Sequence, residues 1–136
     1  MIVTARLTFS AAHRLNNPKY DAEWNRRIYD KCDNPKGHGH NYVITVSVKG
    51  KIDPETGMVI DLKKLKQIVK DRVTERVDHT NLNEDVDFLQ GVIPTAENLA
   101  RAFWRELAPA IDEGSLFEIA LQETEKNSVV YRGEDE

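Results

Sequence analysis

From residue 2 the chain alternates, with Val3, Ala5, Leu7, Phe9 and Ala11 apolar and Thr4, Arg6, Thr8 and Ser10 polar between them. Period-two alternation puts the two sets on opposite faces, so residues 2 to 12 are expected to form a half-buried strand. The pattern then stops. From about Asn16 to Gly37 the chain is polar and broken by Pro18 and Pro35, which reads as a long loop with one helical turn around Trp24 to Tyr29. Alternation returns from His38 to Lys49, where His38, His40, Tyr42, Ile44, Val46 and Val48 share a face. "DPETG" then turns the chain into a short strand, "MVID".

The period changes after Asp61, an expected N-cap. Leu62, Leu65, Ile68, Val69, Val73 and Val77 recur at helical spacing and predict a helix covering a sheet. After a loop containing "DHTNLN", Thr95 can cap a second helix whose inner stripe is Leu99, Ala102, Phe103, Leu107 and Ile111. Strand "LFEIALQET", a turn at Lys126 and Asn127, and strand "SVVYR" close the chain, with "GEDE" expected as a frayed acidic tail. Two strands, two helices and two strands make an α+β order with a four-stranded sheet.

Composition narrows the function classes. At 136 residues with 40% hydrophobic positions, residues 1 to 136 are expected as a single domain with an ordinary core. The formal charge of −4 is spread over many Lys, Arg, Asp and Glu, so there is no broad basic footprint for nucleic acid or a membrane surface. No apolar run approaches the roughly 20 residues that span a bilayer, and "MIVTARLTFS" lacks the order of a signal peptide. A soluble, cytoplasmic protein is expected. The single cysteine, Cys32, cannot form an internal disulfide.

Two of the four histidines lie in "KCDNPKGHGHNY", residues 31 to 42, where Cys32 precedes an alternating His-Gly-His. Residues i and i+2 of a strand point the same way about 6 to 7 Å apart, so His38 and His40 can reach one ion, with Gly39 between them. Consecutive strands commonly pair, and His13 lies just past the alternating core of the first. If they pair here, His13 completes a set of three imidazoles, the donor set of a catalytic zinc site with its fourth position open. The plainer reading is that each histidine is a half-buried, hydrogen-bonded side chain.

Three other residues depart from pattern. His79 follows Asp78, and adjacent side chains rarely face each other in a helix, so that pair gains interest only in a loop. By itself it reads as surface decoration, just as Cys32 reads as a small structural residue. Glu123 falls on the face of Phe117, Ile119 and Leu121, where a carboxylate is costly unless it is paired or binds a ligand. An ion pair with Lys126, or a strand end already in solvent, would also account for it.

Taken in order, "TFSAAHRL", "CDNPKGHGHNY", "TGMVIDL", "VDHTNLN", "IPTAENLA" and "ETEKNSVVYRG" resemble the 6-pyruvoyl-tetrahydropterin synthase family across almost the whole chain. The resemblance implies the tunnelling fold, a ββααββ subunit with a four-stranded antiparallel sheet and two helices on one face. Three such subunits join their sheets into a barrel, and two trimers stack into a homohexamer. It implies zinc (Zn2+) on His13, His38 and His40, a catalytic thiol at Cys32, and an assisting pair at Asp78 and His79. Glu123 matches the carboxylate that anchors the pterin, and Thr95 and Glu97 match positions lining the active site. The family's substrate is 7,8-dihydroneopterin triphosphate, which loses triphosphate while its side chain rearranges to a diketone without external oxidant or reductant.

These residue types suit that chemistry. A thiolate is favoured near a metal cation and can abstract a proton from a side-chain carbon, while a metal acidifies the neighbouring hydroxyls. Glu123 offers two oxygens to adjacent pterin N–H groups. Lys19, Arg26, Arg27 and Lys36 are candidates for holding the triphosphate, although loop cations are usually only solvated. A close relative, 6-carboxy-tetrahydropterin synthase of the queuosine route, uses the same substrate and zinc site but releases acetaldehyde as well as triphosphate. Its shorter Cys-x3-His-Gly-His spacing differs from the Cys-x5-His-Gly-His here, whereas Ala96 departs from the Thr-Thr-Glu of animal pyruvoyl synthases, so both products stay open. A noncatalytic zinc-stabilised binding module is the reading from another class.

Overall fold

The two alternating segments pair along their whole length. Strands β1 (Ile2–His13) and β2 (His38–Lys49) run antiparallel, with Ile2 opposite Lys49 and His13 opposite His38. Cross-strand partners point to the same face, so Phe9, Ala11 and His13 share one side with Tyr42, His40 and His38. The computed structural model describes residues 1–136 and adds β3 (Thr80–Asn81), β4 (Ser115–Thr124) and β5 (Asn127–Tyr131). Strand order is β3-β1-β2-β4-β5.

The sheet therefore has five strands where four were expected. The added strand β3 lies within "DHTNLN" and runs parallel to β1, with Ala11 opposite Thr80. Two residues carry no periodicity, so nothing in their side chains announces a strand; backbone bonds fix it from outside. His79 N–H donates to the Ser10 carbonyl at 2.6 Å and Leu82 N–H to the Ala12 carbonyl at 2.8 Å. Conversely, "MVID" forms no strand beyond one bridge between Asp53 and Met58; Val59 and Ile60 are apolar because they are buried in the core.

The helices begin where their caps are. Asp61 accepts from Lys63 N–H at 2.9 Å and starts α2 (Leu62–Val69), and Thr95 Oγ1 accepts from Asn98 N–H at 3.2 Å and starts α4 (Ala96–Leu107). Between them α2 continues through a π-helical turn at Lys70–Thr74 into α3 (Glu75–Val77), which keeps Val73 and Val77 buried. The expected single turn near Trp24 is a two-turn helix, α1 (Ala22–Tyr29), capped by Asp21 and followed by a 3-10 turn at Asp30–Asp33. Ile111 is buried as expected but lies beyond the helix.

One core of 23 buried residues joins Leu65, Val69, Leu99, Phe103 and Leu107 to Ile44, Val46, Ile119 and Leu121. On the sheet's other face, Thr4, Arg6 and Thr8 are exposed. Phe117 does not share the inner face of Ile119 and Leu121. A bulge opposite Ser47 and Val48 shifts the register, Leu116 packs on the core instead, and Arg132 and Lys49 lie over the Phe117 ring. The acidic tail is docked rather than frayed: Glu136 accepts from Arg105 Nε at 2.7 Å and from the Tyr131 hydroxyl at 3.0 Å. No helix is long and apolar enough to cross a membrane.

Phe103 joins the helical layer to the sheet, with its ring edge-on to Phe9 at 5.9 Å and to Phe88 at 6.1 Å. Phe103→Ala is expected to cost about 3–5 kcal/mol, read as a lowered denaturant midpoint in equilibrium unfolding.

Candidate metal and substrate site

The β1–β2 register places three imidazoles on one patch of the sheet. His13 faces His38 directly, His40 stands opposite Ala11, and one ligand nitrogen from each lies within 4.8 Å of the others. His13 Nε2 and His38 Nε2 are 3.1 Å apart. A carbonyl can only accept, so the 2.8 Å contact from His13 Nδ1 to the Pro94 oxygen puts the proton on Nδ1 and leaves the Nε2 lone pair free. This outer partner orients the ring as metal-bound histidines are oriented. His40 Nε2 is buried without any hydrogen-bond partner. An orphaned ring nitrogen and a fixed lone pair on His13, brought together with His38, fit a bound cation.

Burial favours the neutral, ligand form of His13 and His40. Burial pushes the His13 pKa down to about 4; the Pro94 carbonyl opposes the shift, and His38 and His40 add to it. Burial likewise lowers His40, with Glu123 acting against it. Neutral imidazole is the form that binds metal, so His13 is ready for a cation well below neutral pH. Beneath the cluster Tyr42 is fully buried and stacks on Phe9 with ring centres 4.7 Å apart, giving the histidines a rigid floor.

Glu123 completes the patch from β4. Its Oε1 is 3.9 Å from His40 Nε2 and its Oε2 is 4.0 Å from His13 Nε2, too far for hydrogen bonds. Lys126 forms no ion pair with it. The carboxylate also lines a cleft of about 390 Å³ together with Thr95, Glu97, Tyr29, Leu15 and Ser128. All three residues expected at a substrate site therefore meet in one cleft whose size suits a small molecule. Thr95 earns its position twice, as the cap of α4 and as the residue after Pro94.

The remaining expected residues lie in two other places. Cys32 is half-buried in the 3-10 turn, and its carbonyl accepts from Leu15 N–H at 2.8 Å, two residues after His13. Asp78 and His79 form a pair, with His79 Nδ1 3.0 Å from Asp78 Oδ2, at the edge where β3 meets β1. Ser10 N–H donates to Asp78 Oδ1 at 2.8 Å, the main cause of the lowered Asp78 pKa. His79 takes a positive φ of 60° and its side chain is 83% exposed. Within one chain no hydrogen bond connects this pair to Cys32 or to the imidazoles. Lys36 lines a separate cavity with Arg14 and Asn83.

The chain matches the family model described as 6-pyruvoyl tetrahydropterin synthase over residues 2–134. The chain belongs to the 6-pyruvoyl tetrahydropterin synthase family. A Poecilia reticulata protein named 6-pyruvoyl tetrahydrobiopterin synthase is 46% identical over 132 residues, covering 97% of this chain and 90% of that one. The solved structure of Caenorhabditis elegans 6-pyruvoyl tetrahydropterin synthase superposes with a TM-score of 0.89 at 40% identity, covering 98% of this chain and 96% of that chain. An Archaeoglobus fulgidus protein provisionally named 6-carboxy-5,6,7,8-tetrahydropterin synthase is 39% identical over a shorter stretch, 79% of this chain and 76% of its own.

Sequence reasoning did not reach the Pro94 carbonyl, because a backbone acceptor has no side-chain signature. Its only trace is the proline placed just before the cap in "IPTAEN". His40→Ala should fold, by circular dichroism, yet purify with much less bound metal than the wild-type protein, by elemental analysis.

Proposed function

We propose that this protein is a zinc-dependent 6-pyruvoyl-tetrahydropterin synthase acting on 7,8-dihydroneopterin triphosphate in tetrahydrobiopterin-type synthesis. One observation carries the reading: three imidazoles converge beside a small-molecule cleft that Glu123 lines with a carboxylate facing two of them and making no hydrogen bond. An all-nitrogen donor set of three suits zinc and leaves a position for substrate oxygens. Bound there, the metal supplies a Lewis acid for the side-chain hydroxyls.

The chain's own residues do the rest. Glu123 takes the paired N–H groups of the pterin and so fixes which side-chain carbon faces the thiol. Cys32 removes the proton from that carbon, and loss of triphosphate carries away the electron pair. His79, oriented by Asp78, returns and removes protons as the enol intermediates become ketones, so oxidation at one carbon is balanced by reduction at its neighbour. Thr95 and Glu97 line the cleft floor at the start of α4.

Assembly as a homohexamer agrees with the sheet's edges. β3 covers β1 only at Ala11 and Ala12, and β5 is open on its outer side. Joining the β1 edge of one copy to the β5 edge of the next would carry the Asp78–His79 pair of one copy towards the neighbouring cleft, which β5 lines through Ser128. We place this work in one cytoplasmic domain, residues 1 to 136.

A second reading, formation of the carboxy pterin with release of acetaldehyde, rests on Ala96 at the cleft. Anaerobic incubation of the zinc-loaded protein with 7,8-dihydroneopterin triphosphate is expected to yield a pyruvoyl pterin and triphosphate by mass spectrometry; a carboxy pterin and acetaldehyde would establish the second reading instead. Cys32→Ala should keep its metal and fold while turnover falls by about 100-fold or more. Glu123→Gln should chiefly raise KM, because one acceptor becomes a donor facing pterin N–H groups. Chelation of the metal should leave the fold standing on its 23-residue core; unfolding on chelation, with turnover indifferent to Cys32, would point to the noncatalytic module.

A further inference from the structure

Three consecutive residues after the first metal ligand grip the turn that carries the thiol. Arg14 Nε donates to the Asp33 carbonyl at 2.9 Å and its terminal nitrogen stands 3.0 Å from Asp33 Oδ1. Leu15 N–H donates to the Cys32 carbonyl at 2.8 Å. Asn16 Nδ2 donates to Asp33 Oδ1 at 2.7 Å. The other end of the grip is anchored too: Asn83 accepts from Arg14 N–H and donates to the Arg14 carbonyl, both at 2.8 Å.

These contacts are not those of a surface ion pair. The Asp33 side chain is only 11% exposed, and its Oδ1 receives both Arg14 and Asn16. A half-buried carboxylate with two donors, one from a guanidinium that also holds the same residue's carbonyl, has its geometry over-determined. Across the turn, Gly37 has φ +74°, and a Cβ there would come within 2.9 Å of the His13 carbonyl, so this end of the turn also lies directly against β1. Because Arg14 is bonded to His13 and Asp33 to Cys32, the ion pair spans the shortest covalent route on each side between ligand and thiol.

We propose that Arg14 and Asp33 are positioning residues that hold the Cys32 turn in register with the metal ligand His13, so that the thiol meets substrate already aligned. This rests on the reading of Cys32 as the proton-abstracting group. Neither residue touches the reacting carbon. Their contribution is orientation, and small misplacements of a reacting group are costly in rate while leaving binding intact. Sequence patterning gave no sign of it, since Arg14 and Asp33 lie in polar stretches among many other charges.

The test uses metal-loaded Arg14→Gln, Arg14→Lys, Asp33→Asn and the double variant R14Q/D33N. Arg14→Gln and Asp33→Asn should lower kcat by about 10- to 100-fold with KM and metal content near wild type. Arg14→Lys, able to keep one contact but not both, should fall between wild type and Arg14→Gln and serves if the latter does not fold. R14Q/D33N should be little worse than the weaker single variant, because the two act through one contact. Cys32 is the only thiol, so the rate of iodoacetamide labelling reports its setting without reference to turnover and should change severalfold in each single variant. Wild-type kcat in a folded variant, an unchanged labelling rate, multiplying losses in the double, or a loss matched by lost metal would each overturn the proposal. Cys32→Ala run in parallel separates the two ideas: wild-type turnover there would remove the thiol as base, while labelling would still judge the grip.

Discussion

His13 stands opposite His38 in one antiparallel ladder, and the site depends on that pairing. A slip of one residue between β1 and β2 would turn every side chain of the slipped strand over, sending His38 and His40 to the outer face along with Tyr42, Ile44 and Val46. The hydrophobic core and the three-imidazole cluster therefore depend on the same register. Core burial is large and nonspecific in direction, whereas the imidazole cluster is small and geometrically demanding, so the first can hold the second in place without a metal to organise it.

The same economy runs through the rest of the site. Thr95 caps α4, and the residue before it supplies the carbonyl that sets the His13 tautomer. The helix start and the orientation of the His13 ring are thus one structural decision. Glu123 sits where the β4 inner face runs out of core, two positions beyond Leu121, so its carboxylate reaches the imidazoles from a strand anchored by buried neighbours.

Much of this was legible in the chain. Period-two alternation located β1 and β2, and His38, His40 and Tyr42 share a face because parity demands it. Asp61 and Thr95 marked helix starts through a local bond that needs no tertiary context. What escaped was of another kind. β3 is held by backbone groups of β1, Phe117 was moved by a bulge that changes parity in mid-strand, and the tail found Arg105 across a distance the sequence does not encode. The Asp78–His79 pair lay in a loop, as its sequence suggested, at the edge where β3 meets β1 and with no hydrogen bond to the imidazoles of its own chain.

The long polar segment between β1 and β2 has a consequence for how the chain folds. Of all the pairs in that ladder, His13 and His38 are closest in sequence, 25 residues apart, while Ile2 and Lys49 meet at the far end. The entropy of closing a loop grows with its length, so the histidine end is the mouth from which the ladder zips most readily. A cation captured there early would clip the mouth of the hairpin, coupling the arrival of the metal to the rate at which the sheet forms rather than only to the stability of the finished fold.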